Sequence, residues 1–350
     1  MTATINALGT STASAVLDID NVEVLTLQPV TAASYLDLSG SASLGTVNVG
    51  NANATAMATL ALAGVDSATK IGLGATTDTE MKGTVIVNLA DESGTDDTVT
   101  FVINEGGADN DVNGTLQVGI GATTLTTGTI STGVEKTIIQ ADDDANNADV
   151  TLDVTAVASA ELEITGGATV QDEVLTLGTL NAKTTTVTAS SFTGLLSVTG
   201  SASATTMSVK QGNANNTIVL GGANDTLTLT KLGNDDANGG GGTGDTLNAT
   251  IATGTQTEAT TNFEIINYTI GNNVQTVVSE GNGAGIDGAV TFSLLGGDAL
   301  TTYSHTLHSP ANLTTYNMAG YTGKSTDVNI LVGGNSLTDL TITGSAGADT

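Results

Sequence analysis

Two nine-residue stretches laid end to end, GNANNTIVL (212–220) and GGANDTLTL (221–229), carry Gly, Ala, Asn, Thr and an apolar-x-apolar pair at matching places. Just before the Thr stands Asn216 in the first stretch and Asp225 in the second. GGTGDTLNA (241–249) puts Asp245 in the same place. The chemistry such spacing can do is to hold a hard cation. A coil that closes after a fixed count stacks like residues above one another, so turn carbonyls and a carboxylate face the neighbouring pass. Calcium takes six to eight such oxygens at about 2.3–2.6 Å. Glycines at these turns reach conformations that a Cβ hinders. The apolar pairs Ile218/Leu220 and Leu227/Leu229 point inward at every pass.

Other chemistry has fewer parts available. His305 and His308 are three apart with no Glu between them, which does not match the helical zinc-protease pattern, and they read as surface or turn histidines. There is no G-x-S-x-G, no phosphate-cradling loop and no cysteine. Sugar-cleaving sites need aromatic platforms and nearby bases; aromatics are 3% of this chain and Lys plus Arg number 7. The chain is therefore expected not to be an enzyme. Asp142, Asp143, Asp144 and Asp149, the pairs Asp96/Asp97 and Asp109/Asp111, and Asp235/Asp236 could bind ions of their own, but solvated loop charge is the favoured reading of each.

The elements that position these turns are strands. TVIVNL (84–89), TVTFVI (98–103), TLQVGI (115–120), VTLDVTAV (150–157), LEITG (162–166) and TMSV (206–209) alternate apolar with polar or Thr. ATAMATLALAG (54–64) is the one modest helix candidate. EVLTL recurs at 23–27 and 173–177, GSAS at 40–43 and 200–203, GNAN at 50–53 and 212–215, in one order. That order predicts a duplicated unit with loop insertions. An acid-plus-apolar strand also recurs, as VEVLTL (22–27), VEKTII (134–139), DEVLTL (172–177) and FEIINYTI (263–270). Two of these follow Gly/Asp-rich starts: GTDDT (94–98) leads to Glu135 and GTGDT (242–246) to Glu264.

A net charge of −29, from 36 acids against 7 bases, argues against nucleic acid and anionic membranes as partners. Such a chain repels itself unless cations neutralise it. Gly is abundant (44) and Pro scarce (2), which suits stacked coils with tight turns. With so few aromatics, a core of small aliphatic layers is expected. No apolar run is long enough for a transmembrane helix, and MTATINALGTSTASAV lacks the basic and apolar regions of a signal peptide. The opening resembles a repeat whose Gly/Asp turn is missing, and TGSAGADT (343–350) stops inside another such turn. The 350 residues are expected to be a piece of a longer array.

GGANDTLTL, GGTGDTLNA and GSAGADT (344–350) resemble the calcium-binding nonapeptides of RTX proteins. The flanking Thr/Ala/Val-rich, cysteine-free arrays resemble bacterial surface-layer proteins of the RTX kind. The resemblance implies a calcium-dependent lattice on the cell exterior, type I secretion and self-association as the partner mode. Any contact with cell-surface polysaccharide would be made by regions outside this fragment. It implies Asn216, Asp225, Asp245 and Asp349 at the sixth, metal-facing place, with Asn224 and the turn residues Gly221, Gly222 and Gly244 around them. Asn216 stands there instead of an acid, and Asp225 and Asp245 are twenty apart, a count that needs a bulge. The expected fold is all-β: a parallel β-solenoid or β-roll-like repeat array, with tandem β-sandwich domains as the alternative. Its expected segments are 1–140, 141–233 with the nonapeptides, a Gly/Asp-rich boundary at 234–244, and 245–350. The alternative functions are the stalk of a secreted RTX adhesin or biofilm-matrix protein and, less favoured, a carbohydrate-active β-helix enzyme.

Overall fold

The structure is a computed structural model that describes residues 1–5, 15–27, 34–41, 43–50, 59–74, 81–103, 112–118, 133–141, 150–166, 174–189, 191–192, 194–203, 205–209, 216–232, 236–251, 254–271, 275–280, 289, 291–297, 301–308, 313–323, 325–331, 340–345 and 348–349. The chain divides into two compact units, Met1–Val198 and Thr199–Thr350. Within each, consecutive strands alternate between two sheets, and every strand pairing described is parallel. That alternation is what a coil with one strand per face produces. Tandem β-sandwiches, built from antiparallel pairs, do not fit it.

In the first unit one sheet runs Thr2–Ile5, Val24–Leu27, Thr46–Val49, Lys70–Leu73, Thr98–Ile103, Lys136–Ala141, Glu161–Gly166 and Thr186–Ala189. The other begins at Ala15–Val16 and Ser34–Asp37 and reaches Val174–Thr179 and Leu195–Thr199. The second unit repeats the plan. One sheet holds Thr206–Val209, Thr226–Leu232, Thr246–Ile251, Ile265–Ile270, Thr291–Gly296, Thr315–Tyr321 and Thr341–Thr343. Its companion holds Thr217–Val219, Asp236–Asn238, Gly254–Thr261, Gln275–Glu280, Thr302–His308, Ser325–Leu331 and Ala348–Asp349.

The strands follow the alternation in the sequence. TVTFVI becomes Thr98–Ile103 with the pattern half-buried, buried throughout, and VTLDVTAV becomes Val150–Val157. Side chains alternate across a strand, so one face of each sheet stacks into the core. Leu25, Val47, Ile71, Phe101, Ile139 and Ile164 lie in register, one per coil, all fully buried. The helix candidate fails where it is described: Thr59–Val65 is a strand with Leu60, Ala61 and Leu62 buried. Its neighbours Ser34–Asp37 and Met81–Leu89 offer two ladders of hydrogen bonds, which outweigh the weak helical preference of TLALA.

The aliphatic core expected from the composition is corrected by the second unit. Tyr268, Phe292 and Tyr316 are fully buried, with Phe292 stacked on Tyr316 at 4.7 Å and edge-on to Tyr268 at 5.0 Å. Aromatics are few, but several of them widen the core, and small Ala249 stands in register with large Tyr268. The repeat reading is also refined. Both GSAS stretches follow strands of the same face, Ser34–Asp37 and Leu195–Thr199. The two EVLTL copies fall on opposite faces, at Val24–Leu27 and Val174–Thr179. A short apolar-x-apolar strand serves either sheet, because both bury the same alternation.

Candidate cation site

Residues 216–264 make three passes of the second unit's coil. Ile218 and Leu227, equivalent in the two nonapeptides, lie on opposite sheets, in Thr217–Val219 and Thr226–Leu232. Gly221 and Gly222 turn the chain between them. The turn stacks on its neighbours through backbone: the Gly222 amide donates to the Ser201 carbonyl at 3.3 Å and the Gly241 amide to the Gly221 carbonyl at 2.9 Å. Gly240 sits at φ +94° directly against the Gly221 carbonyl, so both the conformation and the space demand glycine.

The strands that follow are in register, Thr206 with Thr226, Thr246 and Ile265. The residues just before them, Thr205, Asp225, Asp245 and Glu264, therefore stack as well. Each acid braces the pass before it. The Asp225 carboxylate accepts the Thr205 amide through Oδ1 and, at 2.9 Å, the Gly221 amide through Oδ2. Asp245 Oδ1 accepts the Asp225 amide at 2.7 Å, and Glu264 Oε2 accepts the Asp245 amide at 2.8 Å. The Thr226, Thr246 and Ile265 amides donate to the carbonyls of Thr205, Asp225 and Asp245 at 2.8–3.0 Å. The twenty-residue spacing gives way within the strand: register shifts between Leu229 and Leu232, where a bulge absorbs a residue. Asn224 ties the same turns together from the surface, its Oδ1 accepting the Thr243 amide at 3.1 Å. Gly244 leaves the room for that amide group.

One oxygen in this ladder has no partner. Asp245 is fully buried, and its Oδ2 accepts no hydrogen bond. Beside it the backbone passes too close for any side chain. A Cβ on Gly242 would stand 2.5 Å from Asp245 Oδ1, 2.7 Å from Oδ2 and 2.6 Å from the Ala223 carbonyl oxygen. Three oxygens thus converge on the flank of Gly242, the donor type a hard cation takes. Burial pushes the Asp225 carboxyl up from its ordinary value and repulsion from Asp245 adds to this, while the two amides it accepts oppose the rise. Among the described residues neither Asp225, Asp245 nor Glu264 makes an ion pair.

Of the residues singled out in the sequence, the fold brings together Gly221, Gly222, Asn224, Asp225, Gly244 and Asp245. Asn216 is buried on the companion sheet's side, ahead of Thr217–Val219, with its carbonyl accepting the Asp236 amide at 2.9 Å. Asp349 lies in Ala348–Asp349, paired with Ser325–Leu331 several passes away; its side chain is outside the described residues. The Asp142–Asp149 and Asp109/Asp111 clusters, Asp235 and the His305 and His308 side chains are also outside them. Among the described residues no group of three or more His, Asp or Glu side chains is set to hold a metal. The convergence at Gly242 is of a different kind, one carboxylate with main-chain oxygen.

Sequence reasoning marked Gly242 as a turn glycine and Glu264 as the acid of a recurring strand but placed neither at this site, and it missed the Ala223 carbonyl. The signal for Glu264 was present in the recurring acid-plus-apolar strands. Glu23, Glu135 and Glu264 all stand one residue before a strand. Glu135 repeats the role of Glu264: its Oε2 accepts the Asp97 amide at 2.9 Å, and Asp97 Oδ2 accepts the Gly94 amide at 3.0 Å. GTDDT and GTGDT are thus two instances of one brace. No helix among the described residues is long and apolar enough to cross a membrane. No protein family, curated protein or solved structure matches the chain.

Proposed function

We propose that this protein is a structural, non-catalytic component of a calcium-dependent bacterial surface layer, self-assembling on the cell exterior. The observation that carries the proposal is the unpartnered, buried Oδ2 of Asp245, where that carboxylate and the Ala223 carbonyl converge on the flank of Gly242. A buried carboxylate oxygen left unpaired is destabilising by about 1–3 kcal/mol, more where the charge is retained. A cation held by Asp245 and the Ala223 carbonyl, with water completing its shell, removes that penalty. Asp225, one coil away, adds negative charge but has its oxygens engaged by amides.

The wider molecule supports the same reading. Stacked parallel coils present turn after turn along the array, and a net charge of −29 opposes close packing of copies until cations offset it. Calcium is scarce inside cells and abundant outside, so binding would couple final folding to export. The test is thermal unfolding followed by circular dichroism in EDTA and in millimolar calcium, with negative-stain electron microscopy of the same samples. Calcium should raise the melting temperature and produce ordered sheets. Melting curves that coincide in the two buffers would sink the cation site. Stabilisation without any assembly would favour the adhesin stalk.

A further inference from the structure

Among the described side chains of one sheet in the second unit, two outward columns carry no charge, in a chain that has 36 acids. The first outward column of the sheet beginning at Thr206–Val209 runs Thr226, Thr246, Ile265, Thr291, Thr315 and Thr341, in register. The second column, two residues on, reads Thr, Asn, Asn, Ser, Asn and Thr from Thr228 to Thr343. These side chains are half-buried or exposed, while the residues between them are buried in every strand but the last, where Ile342 is exposed. The corresponding face of the first unit differs: Lys136 there bridges Glu161 and Glu163, and Lys70 is exposed.

We propose that this face is where a second copy of the chain docks, the two faces meeting each other. Two physical arguments select that occupant. Hydroxyl and amide groups both donate and accept, so a column of Thr, Ser and Asn is complementary to another copy of itself, as a two-fold interface requires. A charged column is not: like would meet like. In a molecule of net charge −29, the approach of two copies is least opposed where the touching surface is neutral. The size also suits. Six strands about 4.8 Å apart and four to six residues wide at about 3.3 Å each give roughly 400–600 Å² per copy. That is about 800–1,200 Å² for a pair, the lower end of specific interfaces, adequate for a weak contact multiplied in an array.

The proposal rests on the self-association half of the function proposed above and not on calcium. The experiment is sedimentation of the full chain over a concentration series in millimolar calcium, comparing wild type with the double variant Asn267→Asp, Ser293→Glu. Both side chains are outward, though the variant gives up the bond from Asn267 Nδ2 to Asn248 Oδ1 at 2.9 Å and sets two acids on neighbouring strands, so a wild-type circular dichroism spectrum and a cooperative melt above the assay temperature are required as the control for folding. Wild type should associate, and the variant should need at least tenfold higher concentration to do so. The chain has no cysteine, so Ser293→Cys carrying a spin label gives a second readout that needs no charge reversal. A short inter-copy distance at that site is expected. A monomeric wild type, or association unchanged in the double variant, or no dipolar coupling from position 293, overturns the assignment. The last two outcomes would leave self-assembly standing through some other face. A melt indifferent to calcium would remove the cation site and leave this face untouched.

Discussion

Replacing Asp245 by Asn separates a structural brace from a cation ligand, because the two roles predict opposite signs in two buffers. The brace uses Oδ1, which accepts the Asp225 amide at 2.7 Å. An Asn keeps that oxygen. The other oxygen is buried and unpartnered, and the Ala223 carbonyl converges on the same flank of Gly242. An NH₂ group there carries no charge and can donate toward that carbonyl. Without calcium the variant should therefore be more stable, by about 1–3 kcal/mol. For a body of this size that is roughly 2–4 °C in melting temperature per kcal/mol. With calcium at about a hundred times its dissociation constant, wild type gains about 2.7 kcal/mol and the variant forfeits that gain. The ranking should invert between EDTA and calcium. Circular dichroism melts of both proteins in both buffers at neutral pH test this. A variant that is less stable in EDTA, or that keeps the full calcium shift, refutes the reasoning.

Asp225→Asn should behave differently: both oxygens of Asp225 accept amides, so the new NH₂ faces a donor, and stability should fall by about 1–3 kcal/mol in EDTA and calcium alike. Wild type in EDTA should lose stability as pH rises. The Asp225 carboxyl is raised by burial and by Asp245, so the folded state binds its proton more tightly than the unfolded chain does. The stabilisation is present below the unfolded value of about 4 and vanishes as pH climbs through the folded one. A melting temperature that this group makes rise with pH over that window would contradict the assignment. Phe292→Ala should destabilise the second unit by about 3–5 kcal/mol, because it empties a fully buried position between Tyr268 and Tyr316; urea unfolding reads this directly. Lys136→Met, by contrast, should change stability by under about 1 kcal/mol in the same assay, since its bridges to Glu161 and Glu163 are partly solvated.

The sequence by itself determined the all-β class and most of the strands, Thr59–Val65 being the exception. Alternation in TVTFVI or VTLDVTAV sorts side chains to two faces within a few residues, and glycines mark where the chain must turn. Both are local properties, which is why these segments form strands where they were expected. It also marked the acids that matter, since Asp225 and Asp245 repeat in one place and Glu135 and Glu264 follow their Gly/Asp-rich starts. What each acid faces was decided by tertiary structure. Asp225 meets Asp245 twenty residues on, Asp245 meets Glu264 after nineteen, and Asp97 meets Glu135 after thirty-eight. No fixed count predicts those pairings, because loops and a bulge set the length of each coil and the sheet register then restores the alignment. The same register aligns Thr226 with Thr341 across six strands into a neutral face, and it leaves one oxygen of Asp245 without a donor. Local sequence writes the strand. Only the stacking of coils chooses its neighbour.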